Sequence, residues 1–152
     1  MDPRIWGPPA WTFLHSVTLA YPDKPTETDK KNYKDFFYKL QPVLPCLKCS
    51  NNYLKHIQED PVDNHLTDKE SLVKWLVEMH NKVNRLYDKP EVTYDKMLDN
   101  YKSLYSITNY NMFDKNITNY SKPYINNILL LFLFIILIFV LIGIYIKKYL
   151  NK

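Results

Sequence analysis

The chain has 152 residues, enough for one ordinary domain with an appendage and too few for two. Its net charge of +4 comes from basic and acidic residues that are interleaved, so there is no stripe to follow a nucleic-acid backbone. Two cysteines cannot build a disulfide scaffold, and the domain must therefore fold on a hydrophobic core, for which about 100 residues suffice.

Pro8 and Pro9 suit a first helical turn, where a missing N–H does no harm. After them Trp11, Leu14 and Thr18 share a face, with His15 beside it. The stretch PDKP (residues 22–25) breaks the chain. Thr26 and Asp29 resemble a capping box, and Tyr33, Phe36, Phe37 and Leu40 follow at i, i+3, i+4, i+7. Pro42 and Pro45 end that helix and begin a third, whose stripe runs from Cys46 through Cys49, Tyr53 and Ile57. Residues 59–64 (EDPVDN) read as a loop. Thr67 and Glu70 form a second predicted capping box ahead of the longest helix of the domain, with Leu72, Trp75, Leu76, Met79, Val83 and Leu86 at helical spacing. Pro90 stops it, and a shorter helix is predicted over 94–105. With almost no strand alternation, residues 1–105 are expected to form an all-α bundle of four or five helices.

Residues 106–127 are rich in Asn, Thr and Tyr without periodicity and read as a polar tether. Residues 128–146, ILLLFLFIILIFVLIGIYI, carry no charge, and at about 1.5 Å per residue they match roughly the 30 Å of a bilayer core. Tyr124 and Tyr145 sit near the ends, and Lys147 and Lys148 open a short basic tail over 147–152. The prediction is a single C-terminal transmembrane helix. The opening residues lack the basic and apolar regions of a secretory signal, which favours a cytosolic domain, although the lysines beyond the span argue the other way.

The cysteines stand in LPCLKC (residues 44–49). A helix starting at Pro45 places both in its first turn, where free N–H groups and the helix dipole favour a thiolate. A zinc site would need two more ligands, and His56 and His65 offer only an uncommon spacing. Two inert buried thiols are the third reading. A thioredoxin-like motif would need a βαβ pattern, which is absent. Trp6, Trp11, His15, His80, Asn81 and Asn84 are polar or aromatic residues that the core does not require, and an organic cofactor between helices could use them. From the residues alone, a helical dithiol redox protein and a tail-anchored zinc-binding or helical adaptor both stand.

Three stretches in order, WGPPAWTFLHSVTLAYPDKPT (residues 6–26), LPCLKC and WLVEMHNKVNRLYDKP (residues 75–90), resemble the ERV/ALR FAD-linked sulfhydryl oxidases, and the likeness runs over about residues 4–101. That family carries W-G-x-x-x-W-x-x-L-H, Y-P-x-x-P-T, P-C-x-x-C and W-x-x-x-x-H-N-x-V-N. The resemblance implies a helical bundle with FAD at its mouth, often a homodimer. It implies a redox-active Cys46–Cys49 disulfide, with Cys49 nearest the flavin and Cys46 exchanging with an incoming dithiol. Trp11, His15 and Tyr21 would line the FAD site with the backbone around Gly7. His80, Asn81, Val83, Asn84 and Lys89 would hold the adenine and phosphates, and Trp75 would pack nearby. The implied reaction takes two thiols and oxygen to a disulfide and hydrogen peroxide. Cellular members add a structural disulfide, whose positions here are Gln58 and Val77, and often a shuttle C-x-x-C, for which no third cysteine exists. A minimal domain with a membrane span is similar to versions in large cytoplasmic DNA viruses, where the electron donor would be a thioredoxin- or glutaredoxin-like protein.

Overall fold

The structure, a computed structural model, describes residues 1–106, 131–138, 142 and 147–149. Residues 1–106 form five α-helices and one 3-10 turn, with no strand among the described residues.

Helix α1, Pro3–Leu19, starts earlier than its two adjacent prolines suggest. Asp2 caps it by accepting the Arg4 N–H at 2.9 Å, and Pro3 takes the first helical position. Pro8 and Pro9 therefore lie inside the helix, on an exposed face where their i−4 carbonyls can meet solvent. Helix α2, Glu27–Val43, opens on the predicted capping box: Thr26 Oγ1 accepts from the Asp29 N–H, and the Asp29 carboxylate accepts the Thr26 N–H at 2.8 Å. Pro42 is accommodated in its last turn. Helix α3, Leu47–Glu59, is followed by a 3-10 turn over Val62–His65.

Helix α4, Lys69–Leu86, is capped by Asp68 rather than Thr67. The Asp68 carboxylate accepts the Ser71 N–H at 2.8 Å, while the Thr67 hydroxyl donates to that carboxylate. A charged acceptor at a helix N-terminus gains from the dipole as well as from the hydrogen bond, so it displaces a hydroxyl. Helix α5, Tyr94–Ser106, completes the domain.

The core is built around α4, which buries Leu72, Val73, Trp75, Leu76, Val77 and Met79. One cluster joins Trp75, Leu76 and Met79 to Leu14, Tyr21, Phe37, Ile57 and Leu66; the other joins Val73 and Val77 to Leu19 and Met97. Phe37 meets Trp75 edge to face at 4.9 Å. Full burial of such side chains is worth roughly 1.5–3 kcal/mol each. Their polar atoms are satisfied: Trp75 Nε1 donates to the Asp60 carbonyl at 3.0 Å, and the Tyr21 hydroxyl to the Leu66 carbonyl at 2.9 Å.

Apart from Ser106, which closes α5, the predicted tether and most of the predicted transmembrane helix lie outside the described residues. Within that span, residues 131–138 are helical, and their side chains are 41–63% exposed. No helix among the described residues is long and apolar enough to cross a membrane.

Candidate active site: a disulfide at the edge of an apolar cavity

Pro45 holds the chain out of helix, and Cys46 follows as the N-cap of α3 in extended backbone. Its Sγ accepts the Cys49 N–H at 3.2 Å, and its carbonyl accepts the Ser50 N–H at 2.9 Å. The cysteine Cα atoms are 5.2 Å apart and the two sulfurs form a disulfide. This corner is tied down from two sides. The Ser50 hydroxyl donates to the Gln41 carbonyl at 2.8 Å and receives the Gln41 side-chain amide at 2.7 Å, while the Met1 ammonium donates to the Pro45 carbonyl at 3.0 Å. Cys49 thus sits in the first turn of α3, where unpaired N–H groups stabilise a thiolate.

Beside the disulfide opens a cavity of about 830 Å³. Its walls come from α1 (Trp6, Gly7, Trp11), α3 (Cys49, Tyr53, His56), α4 (His80, Val83, Asn84), the turn after α4 (Lys89, Pro90) and α5 (Tyr101). Cys49 lines this space and Cys46 does not. The volume is in the range of cofactor and ligand sites. A Cβ added at Gly7 would meet nothing within 4 Å beyond its own helix backbone, so the glycine leaves room toward the cavity. Trp6 Nε1 and His56 Nε2 are buried without a hydrogen-bond partner, while His56 Nδ1 lies 3.6 Å from the Glu59 carboxylate. Such orphans are uncommon, and a bound polar molecule would satisfy them.

On the far wall, His80 stacks on Trp11 with ring centroids 4.0 Å apart and planes within 8°. His80 Nδ1 lies 3.1 Å from His15 Nε2, so one ring donates to the other. Burial pushes the pKa of both down to about 4; the neighbouring His80 adds to the effect at His15, and the Lys89 charge adds to it at His80. Both are neutral at pH 7. His15 reaches a separate space of about 100 Å³ behind His80 rather than the main cavity.

Asn81 is buried and faces backbone. Its Nδ2 donates to the Val92 carbonyl and its Oδ1 accepts the Val92 N–H, both at 2.9 Å. The chain returns toward Asn81 through a turn in which the Asn84 carbonyl accepts the N–H groups of Tyr87 and Lys89, with Asp88 at a left-handed φ of 51°. Lys89, Pro90 and Val92 all border the cavity, so Asn81 and Asn84 set one of its rims.

Of the residues singled out from sequence, Gly7, Trp11, Cys49, His80, Val83, Asn84 and Lys89 are brought together on the cavity wall. Cys46 lies at the outer end of the disulfide. His15 and Asn81 stand one layer behind. Tyr21 and Trp75 lie in the core, hydrogen-bonded to carbonyls, and do not line the cavity. Asn52, Tyr53 and Tyr101 line it without having been picked out as site residues, and His56, singled out only as a zinc candidate, lines it as well. A signal for three of them existed: with Cys49, they fall at i, i+3, i+4 and i+7 on one helix face. The two zinc candidates diverge, since His65 Nε2 is bonded to Asp60 at 2.7 Å while His56 borders the cavity. No group of three or more metal-binding side chains occurs among the described residues.

The family model for Erv1 / Alr matches residues 8–102. A probable FAD-linked sulfhydryl oxidase of Acanthamoeba polyphaga mimivirus is 44% identical over 100 residues, covering 65% of this chain and 70% of the relative. The mitochondrial FAD-linked sulfhydryl oxidase ERV1 of Saccharomyces cerevisiae is 36% identical over 90 residues; the match takes in 59% of this chain and 47% of that protein, about half its length. Among solved structures, the yeast Erv1 core superposes with a TM-score of 0.59 at 34% identity, over 62% of this chain and 79% of that one. The FAD-binding domain of Erv1 from Saccharomyces cerevisiae gives 0.60 at 35% identity. The matched stretch carries both cysteines, Trp11, and the His80–Asn84 run with its turn, and on these grounds the chain belongs to the Erv1/Alr family.

Proposed function

We propose that this protein is an FAD-dependent thiol oxidase, which forms disulfides in a partner protein at Cys46–Cys49 and passes the electrons to oxygen. The observation that carries the reading is the split of one disulfide between two environments: Cys49 lines the large cavity and Cys46 does not. The cavity fits the cofactor in chemistry as well as size. Trp11 stacked on His80 offers a flat wall, Gly7 leaves room for close approach, and Trp6 Nε1 supplies a buried unpaired donor. Lys89 at the rim supplies a charge suited to phosphate. Trp11, His80, Val83, Asn84 and Lys89 would hold the cofactor, with His15 and Asn81 supporting them from behind. The chemistry that bound FAD supplies is that of a two-electron acceptor which oxygen reoxidises, giving hydrogen peroxide.

The chain's own part is thiol exchange. A partner thiolate attacks Cys46 Sγ, the Cys46–Cys49 bond breaks, and Cys49 leaves as a thiolate held by the N-terminus of α3. A second partner thiolate then attacks the partner sulfur of the mixed disulfide and releases Cys46. The partner is oxidised by two electrons, and the pair is reduced by two. The neutral His15–His80 pair adds no charge to the wall it backs.

The same proposal includes a thioredoxin- or glutaredoxin-like dithiol donor, a homodimer, and a C-terminal anchor over residues 128–146 with the catalytic domain on the cytosolic side. Eight consecutive exposed apolar side chains at residues 131–138 support the anchor, because a run of this kind suits lipid far better than water. The test is the absorption spectrum of the purified full chain together with oxygen uptake on a dithiol. A flavin spectrum and dithiol-dependent uptake are expected, with Cys49→Ser abolishing flavin reduction. A colourless protein with stoichiometric zinc would reject the proposal.

A further inference from the structure

The four most exposed large apolar side chains of residues 1–106 are Met1 at 89%, Leu47 at 79%, Ile5 at 78% and Val43 at 71%. Three of them lie at the segments that meet at the disulfide. Val43 is the last residue of α2 and Leu47 the first of α3, so they flank the Cys46 corner in sequence. Met1 is brought to that corner by the bond from its ammonium to the Pro45 carbonyl. Single exposed apolar residues need no explanation, but three of the four extremes of a domain at one corner do.

We propose that this apolar collar is the docking surface for the dithiol protein that reduces the disulfide, and that the partner presents its cysteines on an apolar segment. The inference rests on the thiol oxidase reading. The occupant follows from the chemistry of the corner. Cys49 is committed to the cavity, so the incoming sulfur must reach Cys46, whose immediate neighbour is Leu47. The sequence holds no third cysteine, so that sulfur comes from outside it. A collar of three side chains suits a small, short-lived interface, as transient redox encounters bury less than about 1,200 Å². The exchange balances as above: the partner's two thiolates close into a disulfide and its two electrons pass to Cys46 and Cys49, for which FAD, when bound, would be the acceptor.

The test compares a protein dithiol with a small one. The flavin-loaded full chain, its Val43→Ser and Leu47→Gln variants and the double variant are assayed by oxygen uptake with reduced thioredoxin and with dithiothreitol. Neutral replacements keep charge repulsion out of the comparison. The double variant is expected to lose roughly tenfold in kcat/KM for thioredoxin, as two apolar contacts of an interface core would give. Its kcat/KM for dithiothreitol should stay within about twofold, since a small thiol needs no collar. Equal loss on both substrates would place the damage in the redox centre and overturn the proposal. No loss on either would also overturn it, as would a fall in oligomeric state by sedimentation, which would make the collar a contact between copies. An unsubstituted chain that leaves dithiothreitol unoxidised would instead sink the thiol oxidase reading itself.

Discussion

Asn81 gives the sharpest test of how the cavity is built. Its side chain makes two 2.9 Å bonds to the backbone of Val92, eleven residues on, and is itself only 6% exposed. Asn81→Ala removes both. Each bond contributes about 1 kcal/mol net, and a half-buried Val92 N–H left unpaired adds a penalty, so the expected loss of stability is about 2–3 kcal/mol. Urea unfolding of the flavin-free full chain, followed by circular dichroism, measures it. The functional consequence should exceed what a general loss of stability gives. The freed segment carries Lys89 and Pro90, so FAD affinity should fall about tenfold, the equivalent of 1.4 kcal/mol. If Asn81 acts through Lys89, then Asn81→Ala and Lys89→Ala combined should weaken FAD binding less than the sum of the two alone. Full FAD affinity in a destabilised Asn81→Ala chain would refute the clamp as the support of the rim. Strict additivity with Lys89→Ala would refute the route through that lysine.

Gly7→Leu should leave the flavin-free fold within about 1 kcal/mol of the parent, because the helix propensity gained is offset by the cost of a Cβ before Pro8. It should cut FAD affinity by tenfold or more, read by flavin fluorescence, and Gly7→Ala should do so far less. Stability should also fall as acid is added. His15 and His80 have folded pKa values near 4 against an ordinary 6.5, so between those values the unfolded chain binds protons that the folded chain refuses. Stability is full above pH 6.5 and declines toward pH 4, by at most about 3 kcal/mol for His15 and by less for the more accessible His80. The slope, from urea titrations at several pH values, should flatten in His15→Gln. An unchanged slope would show that the ring is not held neutral.

Much of the helical frame was legible because helix signals are local. The Thr26–Asp29 box, the start of α3 at Cys46 and the stripe of α4 all depend on neighbours within one or two turns. The N-terminus of α1 was misplaced for the same reason: a pair of prolines is a strong local signal, and Asp2 with Pro3 is an equally valid start further upstream. Periodicity shows that a face is covered but not what covers it. That is why Tyr21 and Trp75, drawn toward the cofactor by resemblance, lie in protein core, while Tyr53, which read as an ordinary α3 residue, and His56, weighed only as a zinc ligand, border the cavity. The role of Asn81 was not legible at all, since its partner is backbone and carries no side-chain signature.

A dithiol that cycles between oxidised and reduced must not unfold its own domain on each turnover. A disulfide stabilises chiefly by closing a loop in the unfolded chain, and the contribution grows with loop length. Cys46 and Cys49 are three residues apart, so the chain-entropy contribution is about 2 kcal/mol at most, near the bottom of the usual range. Reduction also returns something. Cys46 is already the N-cap of α3, its sulfur already accepting the Cys49 N–H, and a thiolate there is a stronger acceptor that faces a favourable dipole. The attachment of α3 to α4 depends on neither sulfur. It is made by the Trp75 bond to the Asp60 carbonyl, by Lys82 reaching Glu59 at 3.5 Å, and by the Ile57 contact with the α4 core. At the positions where cellular relatives are expected to carry a second disulfide stand Gln58, which is exposed, and Val77, which is buried in the α4–α5 cluster. The bonds that hold the cavity wall on α1, α4 and α5 thus involve neither sulfur, and redox change is expected to stay within one turn of α3.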